Sequence, residues 1–184
     1  MLMLVGKSCS GKTTIVKELK KLGLKEVISY TTRPKREHET EGVEYHFITK
    51  EEFLQKEEQG FFAETSSYNV ATGEQWYYGS AIEDLTNDKV FIVNPQGLKK
   101  MKNIDTLIPI SFYITASDET IWERLKQRKD NVNEAIRRLN ADREDFRDIY
   151  NYVDFVFSND LGLKPELLAE MILYTYKKVM ENDA

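Results

Sequence analysis

Residues 6–13 combine glycines and polar side chains at a spacing suited to holding phosphate groups. Their sequence is Gly-Lys-Ser-Cys-Ser-Gly-Lys-Thr, which fits the P-loop pattern of a glycine, four residues and Gly-Lys-Ser/Thr. Gly6 and Gly11 allow the backbone to wrap tightly, so that successive N–H groups point at phosphate oxygens. Lys12 would reach the β- and γ-phosphates of a nucleoside triphosphate, and the Thr13 hydroxyl would bind Mg²⁺. The predicted chemistry is therefore the binding and transfer of phosphoryl groups.

Two groups of arginines could stabilise the negative charge of such a transfer. Arg33 and Arg36 could grip one phosphate between them, and the alternative is a basic turn exposed to solvent. The spacing of the later group, taken alone, favours a charged face exposed to solvent. This later group comprises Arg124, Arg128, Arg137, Arg138 and Arg143, with Glu123, Glu134, Asp142 and Glu144 as possible partners.

The elements that must position these residues predict an α/β domain. Short apolar runs that read as buried strands alternate with helical patterns, which is typical of a parallel sheet. Gly23 is a suitable cap at the end of the first helix. Strands are predicted at 1–5, 26–30, 89–93, 107–114 and 153–157, and helices at 13–21, from Pro95, from Ser117 to about 127, from Asn131 or Asn133 to about 150, and from Pro165.

Residues 34–88 predict a small lobe inserted after the second strand. Thr49 and Glu52 have the spacing of a capping box at the start of a helix. Ser80 is expected to cap a further helix. The lobe contains predicted strands at 43–48, 61–65 and 75–78, helices at 49–58 and 80–85, and a turn at 69–74.

Length and composition indicate one domain that requires no cross-links. The chain has 184 residues, and Cys9 is its single cysteine, so an internal disulfide is excluded. No run approaches the ~18 apolar residues of a membrane span, and the N-terminus lacks the basic flank of a signal peptide. The net charge of −5 argues against a broad nucleic-acid surface. We therefore expect a cytoplasmic protein without nucleic-acid or membrane partners, and the sequence leaves monomer and homodimer open.

With these residues in view, the chain resembles the guanylate kinases. The shared motifs occur in the family's order: the P-loop, Ser-Tyr-Thr-Thr-Arg-Pro-Lys-Arg at 29–36, Glu-Gly-Val-Glu-Tyr-His-Phe at 41–47, Tyr-Tyr-Gly-Ser at 77–80 and the late arginines. The resemblance covers nearly the whole chain. It implies a P-loop NTPase-type parallel sheet of about five strands flanked by helices, an inserted mixed β/α lobe that binds a nucleoside monophosphate, and a helical lid. The core would be 1–33 and 89–184, the lobe about 34–88 and the lid about 124–146.

The resemblance also implies an activity and a set of site residues. The activity is phosphorylation of GMP or dGMP by ATP with Mg²⁺, where Glu64 reads guanine and Ser80 lies near its O6. The implied GMP-binding residues are Ser29, Arg33, Arg36, Tyr45, Glu64, Tyr78, Ser80 and Asn94, of which Ser29, Arg33, Arg36, Tyr45 and Tyr78 hold the phosphate. The implied ATP-binding residues are Gly6, Lys7, Ser8, Cys9, Ser10, Gly11, Lys12, Thr13, Thr14, Arg124 and Asn159, with Ser158 as the alternative to Asn159. The implied catalytic residues are Lys12, Arg33, Arg128 and Arg138, and the implied Mg²⁺ ligand is Thr13.

The chain departs from the family pattern at three places. Ile92 and Asn94 stand where the family usually has two aspartates, which bears on the Mg²⁺ site and on base selection. The turn at 66–75 is longer than usual, and Thr65 stands where an aromatic residue is common. Two alternatives therefore stand beside guanylate kinase: a kinase of another nucleoside or deoxynucleoside monophosphate, and a non-catalytic binding module of the same fold. Such modules typically lose the P-loop, which is intact here.

Overall fold

The computed structural model describes residues 1–69, 73–104, 108–128, 132–160 and 162–182. In these ranges the strands are Leu2–Val5 (β1), Lys25–Glu26 (β2), Tyr30–Thr31 (β3), His46–Phe47 (β4), Phe62–Asn69 (β5), Gln75–Ala81 (β6), Lys89–Ile92 (β7), Ile110–Thr115 (β8) and Phe155–Ser158 (β9). The helices are Lys12–Lys21 (α1), Lys50–Glu58 (α2), Pro95–Met101 (α3), Asp118–Arg128 (α4), Val132–Asp145 (α5) and Pro165–Asn182 (α6). In the described part of the chain, no helix combines the length and apolar character needed to cross a membrane.

The larger sheet is parallel and has the strand order β2-β7-β1-β8-β9. Its central strand, β1, is fully buried because both faces of the sheet are covered. Successive side chains of a strand point to opposite faces, so Leu2 and Leu4 pack with α1 and α6, and Met3 packs with α3 on the other face. The continuous apolar run that predicted a buried strand is thereby explained. The sheet and its flanking helices confirm the predicted fold class.

The smaller sheet is mixed and has the order β4-β3-β6-β5. Its main feature is the antiparallel hairpin of β5 and β6, which pairs from Glu64 opposite Ser80 to Asn69 opposite Gln75. Helix α2 covers the sheet with Phe53, whose ring is fully buried and stacks on Phe62 at 4.5 Å. The predicted capping box at the start of this helix is confirmed.

Three predictions for the local elements are wrong. The strand expected at 26–30 is divided between the two sheets, because β2 pairs with β7 whereas β3 pairs with β4 and β6. Ser80 lies within β6 and caps no helix, because its hydroxyl is directed to Glu64; only a single 3₁₀ turn, Ile82–Asp84, follows. Helix α5 ends at Asp145 rather than near residue 150. Asn131, one of its two predicted starts, lies outside the described residues.

Candidate active site

A cleft of about 1060 Å³ brings together side chains from both sheets and from α5. The P-loop borders one part of this cleft, and the β5–β6 hairpin and the beginning of α3 border another. Most of the predicted GMP contacts therefore face the same space as Lys12 of the P-loop. The lining includes Gly6, Ser8, Lys12, Ser29, Arg33, Arg36, Tyr45, Glu64, Tyr68, Trp76, Tyr78, Asn94, Arg137 and Asp142.

The two glycines of the P-loop stand where a side chain has no room. A Cβ on Gly6 would lie 2.6 Å from the carbonyl oxygen of Ile114, and one on Gly11 would lie 2.2 Å from Nδ2 of Asn159. Gly11 also has a φ of 96°, which disfavours any residue with a side chain. Helix α1 begins directly after it, so the positive end of the helix adjoins the loop. The loop thus has the shape that a phosphate-binding function requires.

Lys12 folds back over this loop. Its Nζ donates to the carbonyl oxygens of Gly6 at 2.6 Å and Lys7 at 2.8 Å. Thr13 and Thr14, in the first turn of α1, are exposed. The predicted residues of the loop and helix therefore lie together, with a positive charge above the loop and hydroxyls available beside it.

Arg124 and Asn159 hold the loop from outside. The guanidinium of Arg124 donates to the carbonyl oxygens of Cys9 at 3.1 Å and Asn159 at 2.8 Å. Nδ2 of Asn159 donates to the carbonyl oxygen of Ser10 at 2.8 Å, and its Oδ1 is buried without a hydrogen-bond partner among the described residues. Ser158, the alternative to Asn159, instead donates to Asp160. Of the two candidate positions, Asn159 is the one that contacts the P-loop.

Arg33 is bound by a carboxylate that the sequence did not identify. It follows β3 of the smaller sheet, and not a strand of the parallel sheet as the predicted strand at 26–30 implied. Its Nη2 and Nη1 donate to Glu39 at 2.6 and 2.8 Å, and both side chains are buried. The hydrogen bonds from Arg33, with that from the backbone N–H of Arg36, lower the pKa of Glu39 to about 2, although burial acts in the opposite direction. The pKa of Arg33 is raised by the same hydrogen bonds to Glu39.

Aromatic rings surround the Arg33 guanidinium. It lies 5.3 Å from the ring centre of Tyr45 and 5.5 Å from that of Phe47, which are distances of favourable cation–π contact. Tyr45 in turn contacts Tyr78 edge to face at 5.8 Å. Burial raises the pKa of the Tyr45 hydroxyl, so this hydroxyl stays protonated and can donate to an anion. Arg36 is exposed on the cleft wall.

Glu64 occupies the other end of this part of the cleft with two hydroxyls. Ser80 Oγ donates to Glu64 Oε1 at 3.1 Å and lies 2.9 Å from Ser29 Oγ, so Ser29 adjoins the pair of Ser80 and Glu64. Burial raises the pKa of Glu64, and the Ser80 hydrogen bond and the charge of Lys100 partly offset this rise. Lys56, a cation of the same lobe that could have paired with Glu64, lies instead over the Phe61 ring at 4.1 Å.

Asn94 is fixed by the start of α3. Its Oδ1 accepts from the N–H of Gly97 at 2.7 Å, and its Nδ2 donates to the hydroxyl of Tyr68 at 3.2 Å. Gly97 permits this approach, because a Cβ there would lie 3.2 Å from Asn94 Oδ1 and 3.4 Å from Glu64 Oε2. Tyr68 was not predicted as a site residue, because its place beside Asn94 depends on how the β5–β6 hairpin packs against the start of α3.

Helix α5 directs a carboxylate to the P-loop. Oδ2 of Asp142 accepts from the backbone N–H of Ser8 at 2.7 Å. The interpretation of Asp142 as part of a face exposed to solvent is therefore wrong, and no local signal could reveal a contact across 134 positions. Arg137, on the same helix, also lines the cleft. The side chains of Arg128 and Arg138 lie outside the described part of the structure.

Comparison with known proteins relates the chain to one family. Residues 1–173 match the family model described as Guanylate kinase. The chain is similar to a guanylate kinase of Neisseria gonorrhoeae, with 35% identity over 162 residues, 83% of this chain and 76% of the relative. It is 30% identical over 175 residues to one of Syntrophotalea carbinolica, with coverage of 90% and 81%. The fold is similar to the crystal structure of guanylate kinase from Anaplasma phagocytophilum, with a TM-score of 0.67 and 22% identity over 97% of this chain and 84% of that chain.

Proposed function

Because the chain belongs to the guanylate kinase family, we propose that it transfers the γ-phosphate of ATP to GMP or dGMP, giving ADP and GDP or dGDP. The observation that carries this proposal is that one cleft holds both a P-loop lysine, Lys12, and a buried carboxylate suited to guanine, Glu64. The two groups would act on the two substrates of such a transfer.

The ATP phosphates are proposed to bind residues 6–14. The N–H groups of the loop and the positive end of α1 favour an anion. Lys12 would leave the carbonyl oxygens that it now contacts and reach the β- and γ-phosphates. Arg124 and Asn159 would keep the loop in shape, since they already contact the carbonyl oxygens of Cys9 and Ser10 in the loop. They are also proposed to border the adenine.

The residues present fit a Mg²⁺ ion that is held mainly by the nucleotide. The Thr13 hydroxyl is exposed next to Lys12 and is the proposed protein ligand. Strand β7 brings no carboxylate to this region, because Ile92 and Asn94 occupy the two positions, and Asn94 Oδ1 caps α3. When bound, Mg²⁺ supplies positive charge to the phosphates. The chain itself would supply a hydroxyl and the Lys12 ammonium.

The GMP phosphate is proposed to bind Arg33, Arg36, Tyr45 and Tyr78. Arg33 directs three of its five N–H groups to Glu39 and the carbonyl oxygen of Pro34, so two remain for the neighbouring Tyr78 hydroxyl and for a phosphate. Glu39 would therefore orient the guanidinium and leave donors available for a phosphate. The Tyr45 ring beside it would limit solvent access.

The guanine base is proposed to bind Glu64, with Ser80 and Ser29 beside it. Guanine presents two adjacent donors, N1–H and the 2-amino group, and a carboxylate can accept both. Adenine has an acceptor at N1 and lacks the 2-amino group, so it would leave the buried Glu64 carboxylate unsatisfied. The Ser80 hydroxyl already fixes one oxygen of Glu64, which orients the carboxylate before the base arrives.

The transfer step needs positioning and charge rather than a general base. The attacking oxygen of the GMP phosphate is already ionised, so no proton has to be removed before it attacks the γ-phosphorus in line. Arg128 and Arg138, on α4 and α5, are proposed to neutralise the transferred group when a lid of about residues 124–146 closes on the parallel sheet that carries the P-loop. Closure over the lobe of about 34–88 would exclude water, which would otherwise hydrolyse ATP.

A second candidate is a kinase of another nucleoside or deoxynucleoside monophosphate. Asn94 supports it. At the end of the cleft where Glu64 lies, the base end, this residue presents an amide donor where the family usually has a carboxylate. A non-catalytic binding module is less well supported, because the loop glycines and Lys12 are all in place.

An assay of ADP release with ATP, Mg²⁺ and GMP tests the proposal. We expect ADP formation that depends on GMP, with one GDP formed for each ADP when the products are separated by chromatography. A control without GMP should show only slow ATP hydrolysis. ADP formation that is unchanged by GMP, or the absence of GDP, would exclude guanylate kinase activity.

A further inference from the structure

The β5–β6 hairpin continues past Glu64 along the open side of the cleft. Side chains of a strand alternate between its faces, so Glu64, Ser66 and Tyr68 share one face, and all three line the cleft. The side chains between them belong to the other face, where Thr65 Oγ1 donates to Glu57 and Ser67 Oγ accepts from Gln75. The inner face of the hairpin therefore extends from Glu64 to the Tyr68 ring.

Tyr68 is attached to the base end of the cleft by a hydrogen bond of defined polarity. Asn94 Oδ1 is used by the N–H of Gly97, so the amide must present its Nδ2 to Tyr68. The hydroxyl oxygen of Tyr68 is consequently the acceptor in this bond. A hydroxyl carries one proton, and here that proton is not used by Asn94.

The ring of Tyr68 spans the space between the two ends of the proposed GMP site. It contacts the ring of Tyr78, a proposed phosphate-binding residue, edge to face at 5.6 Å. Its hydroxyl contacts Asn94, which adjoins Gly97 and through it Glu64. Tyr68 lines the cleft and is 51% exposed, so part of its ring is free to contact a ligand there.

From these contacts we propose that Tyr68 is a specificity-determining residue of the acceptor site. Its ring forms the outer wall against which the ribose and purine of the nucleoside monophosphate pack, and its hydroxyl donates to an acceptor atom of that nucleoside. Asn94 is the positioning residue that sets the polarity of this hydroxyl. The inference rests on the proposed function, because it takes the acceptor to be a purine nucleoside monophosphate.

Asn94 matters because an aspartate there would reverse the hydrogen bond. A carboxylate that uses one oxygen for the N–H of Gly97 would present its other oxygen to Tyr68, and this oxygen can only accept. The Tyr68 hydroxyl would then donate its proton to residue 94 and could no longer donate it to the nucleotide. The pair of Asn94 and Tyr68 is therefore matched, and changing either member should remove the same ligand contact.

Calorimetric titration with GMP in the absence of ATP, together with steady-state kinetics, tests the role of Tyr68. We expect Tyr68→Ala to weaken GMP binding by at least about 10-fold, because it removes both the ring surface and the hydrogen bond. The KM for GMP should rise by a similar factor, whereas kcat and the KM for ATP should change by less than about 2-fold. Tyr68→Phe keeps the ring and should weaken GMP binding by about 3-fold, the loss of one hydrogen bond.

The matched control is Tyr77→Phe, which removes a hydroxyl from the other face of the same hairpin, where it donates only to Gln75. This variant should bind GMP as the wild type does. Asn94→Asp and Tyr68→Phe should have less than additive effects when combined, because they remove one contact. Fully additive effects would contradict the role given to Asn94.

The outcomes separate this inference from the proposed function. A wild-type protein that fails to phosphorylate GMP contradicts the proposed function. The role of Tyr68 is contradicted if the wild type phosphorylates GMP and the affinity of Tyr68→Ala for GMP is within about 2-fold of the wild-type affinity. Because Tyr68 is half exposed, thermal melting should show that the variants fold, and Tyr68→Phe tests the hydroxyl without changing the shape of the wall.

Discussion

The ammonium group of Lys12 contacts two carbonyl oxygens of the P-loop, the loop that is proposed to bind the ATP phosphates. We expect Lys12→Ala to lower kcat/KM by about 10²-fold or more, because a preorganised charge of this kind contributes ~3–4 kcal/mol to the barrier. The melting temperature should change little. Lys17→Ala, which removes an exposed lysine from the same helix, is the control and should retain full activity. Near-normal turnover in Lys12→Ala would exclude the P-loop mechanism.

The Glu39–Arg33 pair gives a prediction for acid stability. The folded state holds the pKa of Glu39 at about 2, below its usual value of 4.5. The stabilisation from this carboxylate is therefore complete above about pH 4.5 and is lost as the pH falls towards 2. Glu39→Gln should lower the free energy of unfolding by about 2 kcal/mol at pH 7, since it weakens hydrogen bonds to a buried charge. Urea unfolding measures the free energy of unfolding of both proteins at pH 7 and pH 3, and the loss caused by Glu39→Gln should be smaller at pH 3. An equal loss at both pH values would contradict the low pKa assigned to Glu39.

Single residues differ in how far the sequence could identify them. The P-loop residues and Glu64 belong to motifs whose spacing or resemblance predicts their role, and the structure places them in one cleft. Glu39, Asp142 and Tyr68 carry no such signal. Each acts through a partner that only the folded chain brings near, as Asp142 does with Ser8. Their contacts were therefore beyond what the sequence could predict.

Among the elements, the long periodic segments were the most predictable. Strand β1 and helices α1 and α6 follow from apolar runs and amphipathic spacing. The segment 26–30 was predicted as one strand because its local pattern does not specify which sheet it joins. Likewise Ser80 has the residue type of a helix cap, but pairing of β6 with β5 and the hydrogen bond to Glu64 determine its conformation.

Helix α5 also leads to a prediction about nucleotide binding. The Asp142 carboxylate accepts from Ser8 N–H, a group that we expect to face phosphate oxygens. Asp142→Asn keeps an acceptor for this N–H and removes the negative charge, so ATP should bind about 3- to 10-fold more tightly, the equivalent of roughly 1 kcal/mol. Titration with a non-hydrolysable ATP analogue measures the change. Asp145→Asn, on the same cleft, is the control and should have a smaller effect; equal effects would show that the Ser8 contact is unimportant.

At the scale of the whole molecule, two sheets with different roles share one cleft. The parallel sheet carries the P-loop at the end of β1, and the mixed sheet carries Arg33 and the hairpin with Glu64. The chain has a net charge of −5, yet Lys12, Arg33, Arg36 and Arg137 all line the cleft. The acids Glu64, Asp142 and Asp145 line the same cleft, so these cations suit individual phosphate groups rather than a broad polyanion.

The overall arrangement was predictable because alternation of strands and helices is a property of the chain as a whole. The position of the hairpin against α3 was not, because it depends on contacts such as those of Lys100 with the carbonyl oxygen of Thr65 and of Asn94 with Tyr68. These contacts decide the shape of the base end of the cleft. Base selection accordingly depends on how the hairpin packs against α3.

The most direct test is a comparison of kcat/KM for GMP, dGMP, AMP, UMP, CMP and dTMP with ATP as the phosphate donor. If Glu64 reads the base, GMP or dGMP should exceed each of the others by as much as ~10⁴-fold, because a base without the two guanine donors leaves a buried carboxylate unsatisfied. A higher kcat/KM for any monophosphate that lacks guanine would contradict the account and show that the base end of the cleft selects another substrate.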